Sequence, residues 1–378
     1  TPPRYVVLAG AGTYDYRDLR GLGGNLVPAL MVNTPNGLFA SDGALADFAG
    51  DARPDLLLGR LPVTSNEALQ AFVTRLAAYE AGLEQQSDRA FFMAGAVTNE
   101  PFNESTDALA TIVGALSEAG LVEQLYRSDL TLELARTRLF EALAEGVFWV
   151  NYIGHGSLDS FSGDGVLTVA DVPALVAAEP AIFTNMTCTS SRFEVPGRES
   201  FGEALSNSSA AIGVWGATGL SVNTYADFMV QAFARGVYGD APTLGDAIDG
   251  AYTELAAEPE WDAGDTLAIY HLLGDPATRL KDRHEAPIII PPTDAGTDRP
   301  LPVDGGTGAD LGAGADAGTP MGGGGCSAAH GQTSLAPFLL AEHLRQAPVH
   351  HVDLAEPPDH DVLGLQVAVH HALVVRVR

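Results

Sequence analysis

Apolar strand-like runs alternate with amphipathic helical stretches from residue 4 to about residue 284, and this alternation restricts the fold more than any other feature of the chain. Such a pattern is typical of a parallel sheet covered by helices. At roughly 150 residues per domain, the 378 residues correspond to two or three domains and can bury a sizeable core. The sequence therefore predicts an α/β sandwich with helices on both faces of a parallel sheet.

The charge balance excludes several classes of partner. Acidic residues outnumber basic ones by 48 to 20, a formal net charge of −28, which disfavours binding to nucleic acid or to an anionic membrane. The chain has no run of about eighteen apolar residues, so we expect no direct membrane span. Its two cysteines, Cys188 and Cys326, exclude a disulfide framework and a cysteine-based zinc cluster.

Composition divides the chain into four parts. A polar stretch at 84–89 separates two strand–helix series, which we assign to a first subdomain at 1–86 and a second at 87–286. Residues 287–325 hold 11 Gly and 6 Pro, a composition that predicts a flexible linker. The tail at 326–378 carries seven of the ten histidines without regular metal-ligand spacing, so we expect a poorly ordered segment and no metal site.

Local patterns place the main elements. A helix is expected after the capping residues at 64–67, and another is expected to begin at Ser105 or Thr106 and to end at Gly120. The Gly-Ala-Gly run at 10–12 fits either a tight turn or a nucleotide-binding loop. The predicted strands are Tyr5–Ala9, 55–63, 91–97, 147–153, Ala181–Met186 and 210–215.

Two reactive side chains follow successive predicted strands. His155 comes directly after the strand at 147–153, and Cys188 comes after the strand at 181–186. Because parallel strands end at the same edge of a sheet, we expect an imidazole and a thiol in one cleft, as a cysteine nucleophile requires. The glycines beside His155 also leave the Gly156 amide available to a developing oxyanion. Cys188 as a buried small side chain and His155 as a turn residue remain alternatives at this point.

An ordered series of motifs extends over roughly residues 4–282. The upstream motifs are Ser-Asp at 41–42 and Gly-Arg-Leu-Pro at 59–62. The later motifs are Tyr-Ile-Gly-His-Gly-Ser at 152–157, Cys188 after an apolar strand, Phe-Gly-Glu-Ala-Leu at 201–205, the small-residue strand at 211–218 and Leu-Gly-Asp-Pro-Ala at 273–277. In this order the motifs resemble the gingipain family of cysteine peptidases.

The resemblance implies a caspase-like catalytic subdomain beside a smaller related subdomain. It also implies a secreted or cell-surface cysteine endopeptidase that cuts protein or peptide substrates through an acyl-enzyme. Carried over to this sequence, Cys188 would be the nucleophile and His155 the general acid/base. The backbone amides of Gly156 and Cys188 would form the oxyanion hole, and Glu100 would be the accompanying acid.

The resemblance also implies a specificity pocket. Asp107 would supply an acid for an Arg or Lys side chain of the substrate, with Ser105 as the competing alignment, and Gly216 and Thr218 would form a pocket wall. A capping role at a helix N-terminus is the alternative for Asp107. No cofactor is required, while the acidic surface permits calcium as a structural ion without an EF-hand ligand series.

Other interpretations remain open at the level of sequence. A transpeptidase of the same fold would pass the acyl group to an amine, and a non-catalytic surface module would only bind. The chain is expected to start inside the first subdomain, which would then be N-terminally truncated. The Gly-rich run before Cys326 resembles a surface-sorting tail, but no apolar span or Arg cluster follows it.

Overall fold

The computed structural model describes residues 3–96, 100–117, 121–258, 261 and 263–283, together with two short strands near the C-terminus. The predicted linker at 287–325 lies outside these described residues. The same holds for the predicted tail at 326–378, Cys326 included, apart from its two strands. The expectations about order in these parts therefore stay predictions.

Twelve strands and eight helices make up the described residues. The strands are β1 (Tyr5–Ala9), β2 (Met31–Thr34), β3 (Gly37–Ala40), β4 (Leu57–Leu61), β5 (Ala90–Ala94), β6 (Val122–Tyr126), β7 (Trp149–Ile153), β8 (Ala181–Met186), β9 (Ala211–Ala217), β10 (Tyr270–Gly274), β11 (Leu365–Val367) and β12 (Leu373–Arg376). The helices are α1 (Gly43–Ala46), α2 (Asn66–Ala81), α3 (Phe102–Leu116), α4 (Leu132–Glu145), α5 (Phe201–Asn207), α6 (Asn223–Val237), α7 (Leu244–Ala256) and α8 (Gly264–Ile269). Short 3-10 turns occupy Leu83–Gln85 and Val169–Ala174.

Ten of the strands form one sheet in the order β11-β12-β1-β4-β10-β9-β8-β7-β5-β6. Strands β5 to β9 run parallel to one another, and β1, β4 and β10 form a second parallel group. The two groups meet at the antiparallel pair β9–β10, where the strand direction reverses. Strands β2 and β3 form a separate hairpin. The five-strand group that contains β7 and β8 positions the reactive side chains.

Helices cover both faces of this sheet, as predicted. Side chains of a strand alternate between its faces. In β7, Trp149 and Ile153 pack into one apolar cluster with α2, α3, α6 and α7. Val150 and Tyr152 pack into the opposite cluster with α4 and α5. All five residues of β7 are buried, which explains why its sequence is an almost continuous apolar run.

Helix α2 forms where its capping residues and apolar spacing predicted it. The Ser65 hydroxyl accepts a hydrogen bond from the backbone N–H of Ala68 and satisfies one of the free amides of the first turn. Phe72, Leu76 and Tyr79 then bury one stripe of the helix.

Helix α3 begins a full turn before the predicted start. Pro101 takes the N-cap position and Phe102 is the first helical residue, so Ser105 and Thr106 lie buried inside the helix and cap nothing. The fixed φ of proline favours helix initiation, and burial of the Phe102 side chain stabilises the additional turn. The helix ends at Leu116, ahead of Gly120, which lies outside the described residues.

The Gly-Ala-Gly segment forms a packed turn. The amides of Gly10 and Ala11 donate to the carbonyl oxygens of Leu61 and Val63, and a Cβ at Gly12 would overlap the carbonyl of Val27. Two of the backbone amides that a phosphate would need, those of Gly10 and Ala11, are thus already bound within the chain.

Strands from both predicted subdomains share the sheet. The predicted boundary at 86/87 falls between the 3-10 turn and β5, and β10 pairs with β4 from the first part of the chain. The division at 86/87 itself stays a prediction. Within the described part of the chain, no helix is both long enough and apolar enough to span a membrane.

Candidate active site

His155 and Cys188 line one cleft at the carboxyl ends of β7 and β8. These strands are parallel neighbours, and Ile153 pairs with Met186, so the residues that follow emerge side by side. His155 is half-buried, and Cys188 is 5% exposed. The cleft is lined by Glu100, Phe102, Gly154, His155, Met186, Thr187, Cys188, Ser221 and Asn223.

The imidazole of His155 contacts the aromatic ring of Phe102. The Phe102 ring meets it edge-on, with ring centroids 5.3 Å apart and an interplanar angle of 90°. Phe102 is 3% exposed and opens α3, so the early start of this helix supplies one wall of the cleft. An apolar wall on this side reduces the freedom of the imidazole and the access of water to it from that side.

The sulfur of Cys188 lies against the segment that follows β9. The backbone N–H of Ser221 donates to Sγ at 3.4 Å, and the thiol can donate to the Ser221 carbonyl oxygen at 3.8 Å. The Ser221 hydroxyl is bonded to the Tyr270 hydroxyl at 2.7 Å, and burial raises the pKa of Tyr270 above its ordinary value. A backbone N–H that points at sulfur favours the thiolate, which is the nucleophilic form of cysteine.

The loop after Cys188 is held in an uncommon conformation. Thr189 has a φ of +56°, in the left-handed region that β-branched residues rarely adopt. Its N–H donates to the Gly219 carbonyl at 2.9 Å, and the Ser191 N–H donates to the Ala217 carbonyl at 3.1 Å. These bonds fix the loop to the end of β9 and set the direction in which Cys188 leaves the sheet.

Gly156 meets the requirements of an oxyanion donor. Within the described residues its backbone N–H donates to no acceptor. A Cβ at this position would overlap the side chain of Thr187, so the close approach of the two loops depends on glycine. An N–H next to the loop that carries Cys188, with no acceptor among the residues that the structure describes, can bind the oxygen of a tetrahedral intermediate.

Glu100 shares the cleft with His155 and Cys188. Its side chain is half-buried, just ahead of α3. The Phe102 N–H donates to the Glu100 carbonyl at 3.0 Å, which ties this loop residue to the first turn of the helix. A carboxylate at this position would stabilise a protonated imidazole electrostatically.

Asp107 lies outside the set of residues that line the cleft. It is exposed in the second turn of α3, accepts a hydrogen bond from Gln124 Nε2 at 2.9 Å and accepts another from the Tyr126 hydroxyl. Burial and this bond to Asp107 raise the pKa of Tyr126 to about 12. Both partners belong to the edge strand β6, and Asp107 is not among the residues that line the cleft.

The predicted pocket-wall residues are buried behind the cleft. Gly216 is packed so closely that a Cβ would crowd the Ser191 hydroxyl and the Asn185 side chain. Thr218 is fully buried and donates to the Ala40 carbonyl at 2.8 Å. Neither residue is among those that line the cleft, where Ser221 and Asn223 occupy the wall after β9.

Several lining residues have no sequence signal of their own. Phe102, Thr187 and Ser221 belong to no motif pattern, and only the rule that successive strand ends share an edge points to their loops. Among the described residues, no group of three or more His, Cys, Asp or Glu side chains could hold a metal ion.

A thiol and an imidazole at adjacent strand ends are the reactive groups that define cysteine peptidases, and the Gly156 amide next to His155 has no acceptor in the described part of the chain. The sequence profile of peptidase family C25 matches residues 1–281, and the chain belongs to this family. No curated protein sequence matches the chain.

Solved structures share the fold. The crystal structure of the Arg-specific cysteine proteinase gingipain R (RgpB) is 17% identical, with a TM-score of 0.58, over 72% of this chain and 63% of that chain. The complex of the pro- and mature domains of RgpB from Porphyromonas gingivalis is also 17% identical, with a TM-score of 0.60, over 74% of this chain and 66% of that chain. The chain thus spans slightly less than two thirds of the length of these structures.

Proposed function

We propose that the protein is a secreted or cell-surface cysteine endopeptidase in which Cys188 attacks the peptide carbonyl and His155 transfers the proton. The observation that carries this proposal is the shared cleft at the ends of β7 and β8, which holds both side chains. Membership of peptidase family C25 supports the same reaction class.

The reaction follows from the groups in the cleft. His155 removes the thiol proton, and the sulfur of Cys188 forms a bond to the carbonyl carbon of the substrate. The negative charge that develops on the carbonyl oxygen is bound by the Gly156 N–H together with the Cys188 N–H. The C–N bond then breaks, and the imidazolium gives its proton to the departing amine, which leaves a thioester on Cys188. Water, deprotonated by His155, hydrolyses the thioester and restores the thiol.

Glu100 assists the charged form of His155 in this scheme. Proton removal from the thiol leaves a positive charge on the imidazole, and a carboxylate in the same cleft stabilises this stage of the reaction.

Cleavage after Arg or Lys is the specificity we propose. The net charge of −28 attracts cationic segments, and gingipain R, which shares the fold, is described as Arg-specific. Asp107 remains the proposed pocket acid from sequence, although its carboxylate is engaged by Gln124 and Tyr126. A substrate cation would have to compete with these two donors.

A mixed peptide library tests the proposal. Wild type and Cys188→Ala are incubated with the library, with and without reductant, and with calcium or a chelator, and the products are read by mass spectrometry. Cuts that depend on Cys188 and on reductant support the peptidase, and the residue before each cut reports the specificity. Products that gain an added amine instead of water would indicate transpeptidation. No cuts under any condition would contradict the proposal and favour a binding module.

A further inference from the structure

The carbonyl oxygen of His155 is bound by two donors from within the chain. The Tyr152 hydroxyl donates to it at 2.7 Å, and the Gly163 N–H donates to it at 2.5 Å. Two donors use both lone pairs of a carbonyl oxygen, so the orientation of this peptide group is fixed.

Fixing this carbonyl also fixes the neighbouring amide. A peptide unit is planar and trans, so the His155 C=O and the Gly156 N–H point in opposite directions. Tyr152 packs in the apolar cluster on one face of the sheet, whereas Phe102 and Met186 belong to the opposite cluster and line the cleft. A carbonyl held by Tyr152 and Gly163 therefore turns the Gly156 N–H away from these two donors, toward the opposite side of the peptide group.

Two glycines leave room for the Tyr152 hydroxyl, and an aromatic contact holds its ring. A Cβ on Gly154 would overlap the hydroxyl, and a Cβ on Gly95 would come within 2.9 Å of it. The Tyr152 ring is 1% exposed and packs against Phe161 with centroids 4.7 Å apart, which holds the hydroxyl in place. Burial raises the pKa of Tyr152 above its ordinary value, so the hydroxyl keeps the proton that it donates.

We infer that Tyr152 is a positioning residue for the oxyanion hole: its hydroxyl, together with the Gly163 N–H, aims the Gly156 N–H at the substrate carbonyl oxygen. The inference rests on the proposed peptidase function. It assigns to Tyr152 no contact with substrate and no proton transfer.

Tyr152→Phe removes the donor and keeps the ring. We expect kcat on a peptide amide to fall about 10- to 100-fold with KM unchanged, because a misdirected oxyanion donor weakens binding of the transition state alone. The inhibition constant of a peptide aldehyde, whose adduct with Cys188 carries the same oxyanion, should weaken by the same factor. Alkylation of Cys188 by iodoacetamide needs no oxyanion hole, and its rate and pH profile should stay at the wild-type values.

Tyr238→Phe is the matched control. Tyr238 is fully buried, its hydroxyl has no partner within the described residues, and it packs beside Trp149 at the start of β7. We expect this variant to keep kcat, the aldehyde affinity and the alkylation rate.

The outcomes separate this inference from the proposed function. A kcat for Tyr152→Phe within about twofold of wild type would overturn the inference, and so would an alkylation rate that falls together with kcat, which would mark a structural role. If Tyr152→Phe does not fold, Gly95→Ala, whose methyl group would come within 2.9 Å of the Tyr152 hydroxyl and forces it to move, must give the same pattern. A wild-type protein that cleaves no peptide would contradict the proposed function itself.

Discussion

The backbone N–H of Ser221 donates to Sγ of Cys188 over 3.4 Å, although 33 residues separate the two along the chain. The bond joins the loop after β9 to the loop after β8. The nucleophile is thus held by two neighbouring strand ends, and the Ser221 hydroxyl extends the connection to Tyr270 on β10. The position of the Cys188 sulfur is therefore coupled to the antiparallel pair of β9 and β10, where the strand direction in the sheet reverses.

Loss of the Glu100 charge should slow catalysis. Glu100→Gln keeps the size of the side chain and removes the carboxylate that faces the same cleft as His155. We expect kcat/KM to fall about tenfold, because the imidazolium loses its electrostatic support. Glu104, exposed in the first turn of α3, provides the control, and Glu104→Gln should retain full activity. Equal effects of the two substitutions in steady-state kinetics would argue against a role for Glu100.

Relief of the backbone at Thr189 should stabilise the protein. A glycine adopts a φ of +56° without the steric cost of about 1–2 kcal/mol that a β-branched residue meets, while its greater freedom in the unfolded chain offsets about 0.5–1 kcal/mol of this gain, so Thr189→Gly should raise the free energy of unfolding by about 0.5 kcal/mol. Thr189→Val keeps the branched Cβ and should give no such gain. Urea denaturation of both variants measures the difference, and a Thr189→Gly protein less stable than Thr189→Val would refute the idea of strain at this position.

The buried ion pair between Asp42 and Arg60 should be costly to break. The side chains are 2% and 0% exposed, and the guanidinium donates twice to the carboxylate, at 2.6 and 2.7 Å. Asp42→Asn leaves a buried, uncompensated charge and should cost about 3–5 kcal/mol of stability. Asp249→Asn, which breaks a half-exposed pair with Arg53, should cost less than about 1 kcal/mol. Thermal unfolding of the two variants at one pH tests the contrast.

Glu203 should make the stability depend on pH. Burial raises its pKa from an ordinary 4.5 to about 8, and the nearby carboxylates of Glu199 and Glu194 add to the effect. The folded protein then binds more protons than the unfolded chain between these values. The contribution of Glu203 is complete below pH 4.5 and is lost as the pH rises toward about 8, at about 1.4 kcal/mol per pKa unit.

Glu203→Gln should remove this dependence. The amide oxygen can still accept the hydrogen bonds from Ser200 that close the capping box, and it never ionises. We expect the variant and the wild type to melt at similar temperatures near pH 4.5 and the variant to melt higher at pH 8. If the melting temperatures of the two proteins change with pH in the same way, Glu203 does not titrate in this range.

Elements that bury a continuous apolar run could be predicted from sequence. Strands β1 and β8 occupy the predicted residues, and α2 follows its capping serine, because in each case the local pattern and the tertiary packing agree. Strand β6 was missed because it lies at the sheet edge with few buried residues. Strand β10 was missed because its antiparallel pairing with β9 is decided by tertiary contacts.

The candidate site, like the fold, could be predicted from sequence only in part. His155 and Cys188 stand in motifs at strand ends, so the sequence could single them out. Phe102 was obscured by the wrong expected start of α3, and Ser221 acts through its backbone, which no side-chain pattern records. The position of Asp107 opposite Gln124 follows from the packing of α3 against β6, a contact that the sequence does not encode locally.

Labelling of the nucleophile tests the central claim most directly. The protein is treated with a biotinylated peptidyl acyloxymethyl ketone, and the modified residue is located by peptide mass mapping. We expect the label on Cys188 and not on Cys326. Peptide cleavage should be lost in Cys188→Ala and kept in Cys326→Ala. In His155→Ala, labelling should be slowed about 100-fold or more. Equal labelling of both cysteines, or peptide cleavage that persists in Cys188→Ala, would contradict the assignment.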